Sequence, residues 1–215
     1  MTYRTILKRA EIEIEIKKSR FIGHASPAET VEEAEDFIEE IKGTHPQATH
    51  NCSAYIVGQQ GINQRYSDDG EPQGTAGIPM LEVLRKEEVT NTVVVVTRYF
   101  GGVKLGASGL VRAYGKTAKE ALEAGQIVVY KEFQEVAIEF SYAALGKVDH
   151  YLQKEQIFEA ARDFTDKVSL TCLIHSEQVE KVQGDLLNIT SGDCGWQEKD
   201  VQYLPVNQKN VIIRK

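Results

Sequence analysis

The part of the chain best equipped to bind an anion spans residues 98–112, and we call it the glycine-rich segment. It places four glycines between a strand pattern and a helix pattern. Glycine lets backbone N–H groups approach a ligand closely, and the start of a helix adds free donors and positive partial charge. Together these features predict a phosphate site. The candidate anion-binding residues are Arg98, Gly101, Gly102, Lys104, Gly106, Ser108, Gly109, Arg112 and Lys116.

A structural interpretation of the same segment stays open. The segment lacks the closing Gly-Lys-Ser/Thr of a Walker A loop and does not match G-x-G-x-x-G. A tight connection between a strand and a helix, with Arg112 and Lys116 merely in contact with water, would use the same residues.

Basic residues cluster in this part of an otherwise acidic chain. The 215 residues carry 25 Lys and Arg against 32 Asp and Glu, a net charge of −7 that argues against a surface covered in nucleic-acid-binding charge. A local cluster of cations can nevertheless bind nucleic acid. If it contacted about four phosphates of an RNA, the logarithm of the binding constant would fall with the logarithm of the salt concentration at a slope on the order of −3 to −4. The five cations between residues 98 and 119, where no acid occurs, form the basic stripe: Arg98, Lys104, Arg112, Lys116 and Lys119.

Residues 67–77 form a second candidate segment, the acidic loop. Asp68, Asp69 and Glu71 put three carboxylates within four positions, and these repel one another unless a positive group lies close. Mg²⁺ is one such group. We favour ionic contact with Arg98 and Arg112, which would join both segments into one site. Turn formation, in which the Asp side chains bond the local backbone, is a further alternative.

His45 and His50 are candidate metal ligands beside the acidic loop. Pro46 lies between them and excludes a helical His-x-x-x-His arrangement, and no third strong ligand is near in the sequence. Hydrogen bonding is therefore the alternative role for both, and the metal stays unknown. No catalytic residue is predicted, because neither Ser108 nor Cys52 has an assignable base. We interpret the remaining histidines as surface residues: His24, His150 and His175.

Hydrophobic patterning predicts the elements that position these segments. Alternating apolar residues predict a strand over residues 11–16. The β-branched run at residues 93–96 predicts a central strand covered on both faces. Apolar residues at helical spacing predict helices over residues 29–40, 78–86 and 108–124.

The second half of the chain has a different rhythm. Strand patterns near residues 133–140, 156–164, 168–175 and 195–203, with two helix patterns between them, follow the order β-α-β-β-α-β. This is the order of a ferredoxin-like unit. We therefore expect an α+β fold of two domains, residues 1–128 and residues 129–215.

Membrane and secretion signals are not visible in the sequence. No stretch approaches the roughly 20 apolar residues that a bilayer span needs. The first residues run into charged ones without the apolar core of a signal peptide. We expect a cytoplasmic protein with no membrane partner.

Four motifs occur in order along the chain: KSRFIGH at 18–24, PQATH at 46–50, SDDGEPQGTAG at 67–77 and VTRYFGGVKLGASGLVRAY at 96–114. Taken together they resemble the YigZ/IMPACT family. The resemblance covers residues 15–125 tightly and the rest more loosely. Ser108 departs from the family pattern, in which glycine is common, and Asn51 stands where a second consecutive histidine is frequent. The latter departure argues against a three-histidine metal site.

The resemblance implies a fold for each half of the chain and a connection with translation. It implies that residues 1–128 resemble the second domain of a small-subunit ribosomal protein, as in elongation factor G. It implies that residues 129–215 resemble the ferredoxin-like last domain of elongation factor G. Eukaryotic relatives regulate translation initiation through a protein partner and use an extra domain, for which residues 1–10 leave no room. That partner is therefore not expected here.

Three functions follow as expectations. The first is a translation-related regulatory protein that binds RNA, the ribosome or a translation factor through the basic stripe, with no catalysis and no required cofactor. The second is an enzyme that binds a phosphate-bearing small molecule or nucleotide, with Mg²⁺ held by Asp68, Asp69 and Glu71. A protein-interaction module is a third. The sequence predicts neither the ligand nor the oligomeric state.

Overall fold

The computed structural model describes residues 2–58, 61–207 and 211–213 and shows an α+β protein. The described residues contain five α-helices and two antiparallel sheets. The chain divides into two compact units, a first of residues 3–128 and a second that contains the residues from 129 onward together with Thr2.

The first unit carries the segments singled out in the sequence. Its strands are β1 (Tyr3–Ile6), β2 (Ala10–Ile16), β3 (Ser19–Pro27), β4 (His50–Val57), β5 (Asn63–Ser67) and β6 (Thr92–Tyr99). Its helices are α1 (Val31–Thr44), α2 (Gly77–Lys86) and α3 (Ala107–Ala124). The helices predicted at 29–40, 78–86 and 108–124 are thus confirmed, with shifts of a few residues at their ends.

Strand β6 lies at the centre of a sheet with the order β2-β3-β6-β4-β5, in which all neighbours are antiparallel. Alternate residues of a strand point to opposite faces. Val94 and Val96 pack with α2 and α3 on one face, the α3 face. Val93 and Val95 pack with α1 on the other, the α1 face. The predicted doubly covered strand is confirmed, which explains a continuous rather than an alternating apolar run.

The two helices that flank the candidate segments begin in different ways. Helix α1 starts after Thr30, whose hydroxyl accepts the N–H of Glu33 over 3.1 Å and caps the helix. Helix α3 starts after Gly106 and has no side-chain cap. Because the glycine-rich segment connects β6 to α3, the uncapped helix start lies at its end.

The second unit has the predicted β-α-β-β-α-β order. Its four strands lie side by side in the order β10-β7-β9-β8, all antiparallel, and α4 and α5 pack on one face. Strand β7 begins six residues earlier than predicted because its first part pairs with the end of β10, where Val129 faces Val206. The elements are β7 (Ile127–Phe140), α4 (Leu145–Lys154), β8 (Phe158–Phe164), β9 (Val168–His175), α5 (Val179–Ile189) and β10 (Cys194–Val206).

None of the helices in the described part of the chain is both long enough and apolar enough to cross a membrane.

Candidate anion-binding groove

The start of α3, the glycine-rich segment and the acidic loop surround an open groove of about 410 Å³ in the first unit. Two apolar side chains, Phe100 and Leu105, also line it. The structure therefore brings part of each candidate segment to one place. The predicted site residues that line the groove are His50, Glu71, Arg98, Lys104 and Gly106.

A buried ion pair joins the two segments. Arg98 Nη1 donates to Glu71 Oε1 over 2.6 Å, and only 7% and 3% of the two side chains are exposed. The Tyr114 hydroxyl donates to the same carboxylate oxygen over 2.8 Å. Burial raises the pKa of Tyr114, which keeps this hydroxyl protonated as a donor. The acidic loop therefore contacts the glycine-rich segment through Arg98.

Asp68 holds the acidic loop against the start of α2. Its Oδ2 accepts the N–H of Gly74 over 2.8 Å, and its Oδ1 accepts those of Ala76 and Gly77 over 3.1 and 2.8 Å. No side chain at the N-cap position caps α2, so Asp68 supplies an acceptor and a negative charge at the positive end of this helix. Both oxygens are thereby bonded to the backbone, which accounts for Asp68 without a metal.

Asp69 of the acidic loop forms hydrogen bonds with His50 and Asn51. Asp69 Oδ2 accepts the N–H of Asn51 over 2.6 Å. His50 Nδ1 lies 2.7 Å from the carbonyl oxygen of Asp69, and because a carbonyl only accepts, this nitrogen carries the proton. The other ring nitrogen of His50, Nε2, lies 3.9 Å from Glu71 Oε2. These hydrogen bonds position His50 in the groove wall.

The lining residues from the glycine-rich segment include polar groups that have no side-chain partner among the described residues. Gly106 has a φ of +75°, which glycine adopts without strain, and it leads into the uncapped first turn of α3. Lys104 is exposed and has no ion-pair partner among the described residues. Phe100 is 46% exposed, and the Arg98 guanidinium lies 5.5 Å from its ring centre. This part of the groove therefore combines positive charge, free N–H groups and an aromatic surface.

Gly101 serves packing within the glycine-rich segment. Its N–H donates to Ser19 Oγ over 3.1 Å, and a Cβ at this position would overlap the carbonyl oxygen of Lys18. Gly102, by contrast, has a φ of +84° and open space around it. The first glycine thus allows the close approach of two chain segments, while the second allows a left-handed turn.

The basic stripe carries less free charge than its sequence suggests. Arg98 is neutralised by the buried ion pair. Lys116 and Lys119 lie 3.7 and 3.6 Å from Glu120 and Glu123, one turn further along α3 and just beyond the acid-free stretch. The two cations of the stripe without an ion-pair partner in the described residues are Lys104 and Arg112.

Several predicted site residues lie outside the groove lining. Arg112 is exposed but does not line the groove, so the expected contact of the acidic loop with both arginines involves Arg98 alone. The other residues outside the lining are Gly101, Gly102, Ser108, Gly109, Lys116, Asp68, Asp69 and His45.

The two candidate histidines bond to different neighbours. His45 Nδ1 lies 3.0 Å from the Tyr99 hydroxyl, and its ring lies beside that of His24. The interpretation of His24 as a surface residue is wrong: it is 3% exposed, because β3 lies inside the sheet between β2 and β6. Within the described residues, no group of three or more His, Cys, Asp and Glu side chains is arranged to hold a metal ion.

The sequence interpretation missed two members of the site. The sequence patterns single out neither Phe100 nor Tyr114. The available signal for Tyr114 was its hydroxyl, since a buried tyrosine usually needs a hydrogen-bond partner.

Cys52 has a structural role: its Sγ donates to the Asp68 carbonyl oxygen over 3.0 Å, and burial raises the pKa of the thiol.

Two family models match the chain. Residues 17–122 match the Impact N-terminal domain, and residues 138–193 match a domain of unknown function, DUF1949. The IMPACT family member YvyE of Bacillus subtilis is 41% identical over 203 residues, which cover 94% of both chains. The IMPACT family member YigZ of Escherichia coli is 47% identical over 110 residues, which cover 50% of this chain and 54% of that one.

A solved structure supports the fold. The crystal structure of a hypothetical protein is 30% identical to this chain and superposes with a TM-score of 0.58. The match covers 96% of this chain and 98% of the other. The α+β architecture described above is therefore shared along nearly the whole length of both chains.

Proposed function

Since the chain belongs to the IMPACT family, we propose that it is a translation-related regulatory protein that binds RNA through the groove beside the glycine-rich segment. The observation that carries this proposal is the start of α3 without a side-chain cap, beside Lys104, which has no ion-pair partner among the described residues. In the bound state an RNA phosphate lies at this helix start. A neighbouring base stacks on Phe100.

The electrostatics of the groove favour a phosphate. Helix α3 has 18 residues, and the first N–H groups of a helix, together with its dipole, attract anions. Lys104 adds a full positive charge on the same side. Glu71 already neutralises Arg98, so the positive charge that attracts a ligand comes from Lys104 and the start of α3 rather than from this arginine.

Arg98 supplies a further donor. Its Nε is buried and has no hydrogen-bond partner among the described residues, although the side chain lines the groove. Buried polar groups are nearly always hydrogen-bonded in folded proteins, so an unpartnered one favours an acceptor from outside the chain. A phosphate or base oxygen of RNA is such an acceptor once the Arg98 side chain shifts on binding, because this nitrogen is closed to solvent in the free chain.

Phe100 favours a nucleic acid over inorganic phosphate. Proteins that bind single-stranded RNA stack bases on exposed aromatic rings, at about 1–3 kcal/mol per base. A ring that is 46% exposed beside a cationic loop fits that use.

The proposal extends to the two units. We infer that the first resembles the second domain of a small-subunit ribosomal protein and that the second resembles the last domain of elongation factor G. The β10-β7-β9-β8 order with helices on one face supports the second likeness, because it is the ferredoxin-like order. Both likenesses favour the ribosome as the source of the RNA.

A Mg²⁺-dependent enzyme gains no comparable support from the geometry. Asp68 and Asp69 accept backbone N–H groups, and Glu71 accepts from Arg98 and Tyr114. A metal would have to compete with these partners for the same three carboxylates.

The test is a fluorescence-anisotropy titration with an RNA hairpin that carries a single-stranded loop, at salt concentrations between about 50 and 200 mM. We expect a log–log salt slope on the order of −1 to −2, shallower than the sequence predicted, because the groove offers few free cations. Lys104→Ala is expected to reduce the slope by about 0.9. Phe100→Ala is expected to weaken binding about fivefold to a hundredfold.

Arg112→Ala is the matched control, since Arg112 is also exposed and lacks an ion-pair partner in the described part of the chain but does not line the groove. We expect it to change the affinity less than Lys104→Ala does. Equal losses in both variants would mean that RNA senses only the general surface charge. Absence of binding at low salt would exclude the proposed function altogether.

A further inference from the structure

The groove beside the start of α3 has the size and the charge of a site for one phosphate group. Its volume of about 410 Å³ lies at the small end of the range of about 300–1,000 Å³ found for small-molecule sites. Proteins that bind several nucleotides of a single strand use a longer positively charged groove that follows the backbone. The cations of this lining are Arg98 and Lys104, and Arg98 is already paired with Glu71. The groove is therefore suited to one phosphate of an RNA rather than to a row of them.

The start of α3 offers backbone donors to that phosphate. The helix begins at Ala107 after Gly106, and both residues line the groove. The Leu110 N–H donates to the Gly106 carbonyl oxygen over 2.9 Å, so the hydrogen bonds of the helix begin there. The N–H groups of residues 107–109 come before it, and no side chain at the N-cap position accepts them. They are available to a ligand.

Arg98 is independent evidence that the groove takes an acceptor. Its side chain is 7% exposed and lines the groove, and its Nε has no hydrogen-bond partner among the described residues. A buried donor without an acceptor costs free energy, which a ligand oxygen recovers once the side chain shifts to meet it. The groove therefore offers a donor on the strand side in addition to those of the helix start.

We propose, on the basis of the RNA-binding function above, that the groove recognises an RNA end that carries a terminal phosphate monoester. A phosphate monoester has three non-bridging oxygens and a charge of about −1.5 to −2 at pH 7, whereas a phosphodiester within the chain has two such oxygens and a single charge. The third oxygen uses a further N–H group of residues 107–109. The larger charge interacts more strongly with Lys104 and with the dipole of α3. The base of the terminal nucleotide stacks on Phe100.

The experiment is a fluorescence-anisotropy titration with three single-stranded RNAs of one sequence and one internal fluorophore. They carry a 5′-phosphate, a 3′-phosphate or no terminal phosphate, and the salt concentration is about 50 mM to limit screening. We expect at least one phosphorylated RNA to bind about fivefold or more tightly than the unphosphorylated one, and that RNA identifies the end. Equal affinities would overturn this inference but leave RNA binding standing. Absence of binding by all three would exclude both.

A proline at the first position of α3 tests the role of the backbone donors. Ala107→Pro removes one N–H group at a helix position where proline is well tolerated. It is expected to weaken binding of the preferred RNA about tenfold and binding of the unphosphorylated RNA less. The matched control is Val31→Pro, the same change at the first position of α1, whose residues do not line the groove. A preference that survives Ala107→Pro, or falls equally in the control, would overturn the proposal.

A measurement on the unaltered chain keeps the test valid if a variant fails to fold. In amide NMR spectra, the signals of residues 107–109 are expected to shift further with the preferred phosphorylated RNA than with the unphosphorylated one. Equal shifts at these residues, or a difference confined to other parts of the chain, would contradict a terminal phosphate at the start of α3.

Discussion

The acidic loop and the glycine-rich segment meet in one groove but use their polar groups in opposite ways. In the acidic loop, Asp68 and Asp69 accept backbone N–H groups and Glu71 closes a buried ion pair. In the glycine-rich segment, Lys104 is unpaired among the described residues, and α3 begins without a side-chain cap. Each segment has three charged residues, but the acidic loop uses its carboxylates within the fold, and the segment with free groups is the one that we propose faces the ligand.

The largest expected effect is loss of the buried ion pair. Glu71→Gln keeps the size of the side chain but leaves the Arg98 charge buried without compensation, which should lower the free energy of unfolding by about 3–5 kcal/mol. Urea unfolding monitored by circular dichroism measures it. Glu82→Gln, which removes an exposed partner of Arg85, is the control and should change stability by less than about 1 kcal/mol. A similar small effect for Glu71→Gln would contradict the structural role of the acidic loop.

The next effect separates two adjacent glycines of the glycine-rich segment. Gly101→Ala forces a Cβ onto the Lys18 carbonyl oxygen, and we expect a loss of roughly 3 kcal/mol. Gly102→Ala has open space and suffers only from its positive φ, at about 1 kcal/mol. Thermal unfolding of both variants measures the difference. Equal losses would show that the close approach at Gly101 does not constrain the fold.

A smaller effect concerns the start of α2. Asp68→Asn keeps one carbonyl oxygen but loses the charge and one acceptor for the N–H groups of Gly74, Ala76 and Gly77, which should cost about 1–3 kcal/mol. Urea unfolding measures it, with the exposed Asp36→Asn of α1 as the reference. If magnesium chloride restored the loss selectively, the carboxylate would be a metal ligand, contrary to our account.

The smallest effect on stability is expected at Lys104. Lys104→Ala removes an exposed charge without an ion-pair partner in the described residues, so the free energy of unfolding should change by no more than about 0.5 kcal/mol. Its RNA affinity should fall nonetheless. A large loss of stability would place Lys104 with the structural residues and remove the contrast between the two segments.

The sequence predicted the secondary-structure elements better than it predicted which side chains pair with one another. The β-branched run of β6 and the helical spacing of α3 report local structure directly, and both predictions are confirmed. The pairing of Glu71 with Arg98 and Tyr114 depends on residues 27 and 43 positions away, brought together by the sheet. Opposite charge alone was enough to predict contact of the acidic loop with Arg98, but no local pattern indicated that Tyr114 rather than Arg112 is the second partner.

The basic stripe shows a related limit. Counting charges from Arg98 to Lys119 ignores Glu120 and Glu123, which lie one helical turn beyond and pair with Lys116 and Lys119. Helical spacing makes these pairs foreseeable. The burial of Arg98 is not foreseeable in this way, because it follows from the position of its strand between β3 and β4.

Amide hydrogen exchange measured by NMR, with and without RNA, tests the contrast between the two segments most directly. We predict that the N–H groups of Gly74, Ala76 and Gly77 are protected in the free protein because Asp68 accepts them. The N–H groups of residues 107–109 should exchange fast in the free protein and slowly once RNA is bound. Protection at residues 107–109 without RNA, or none gained on adding it, would contradict the account.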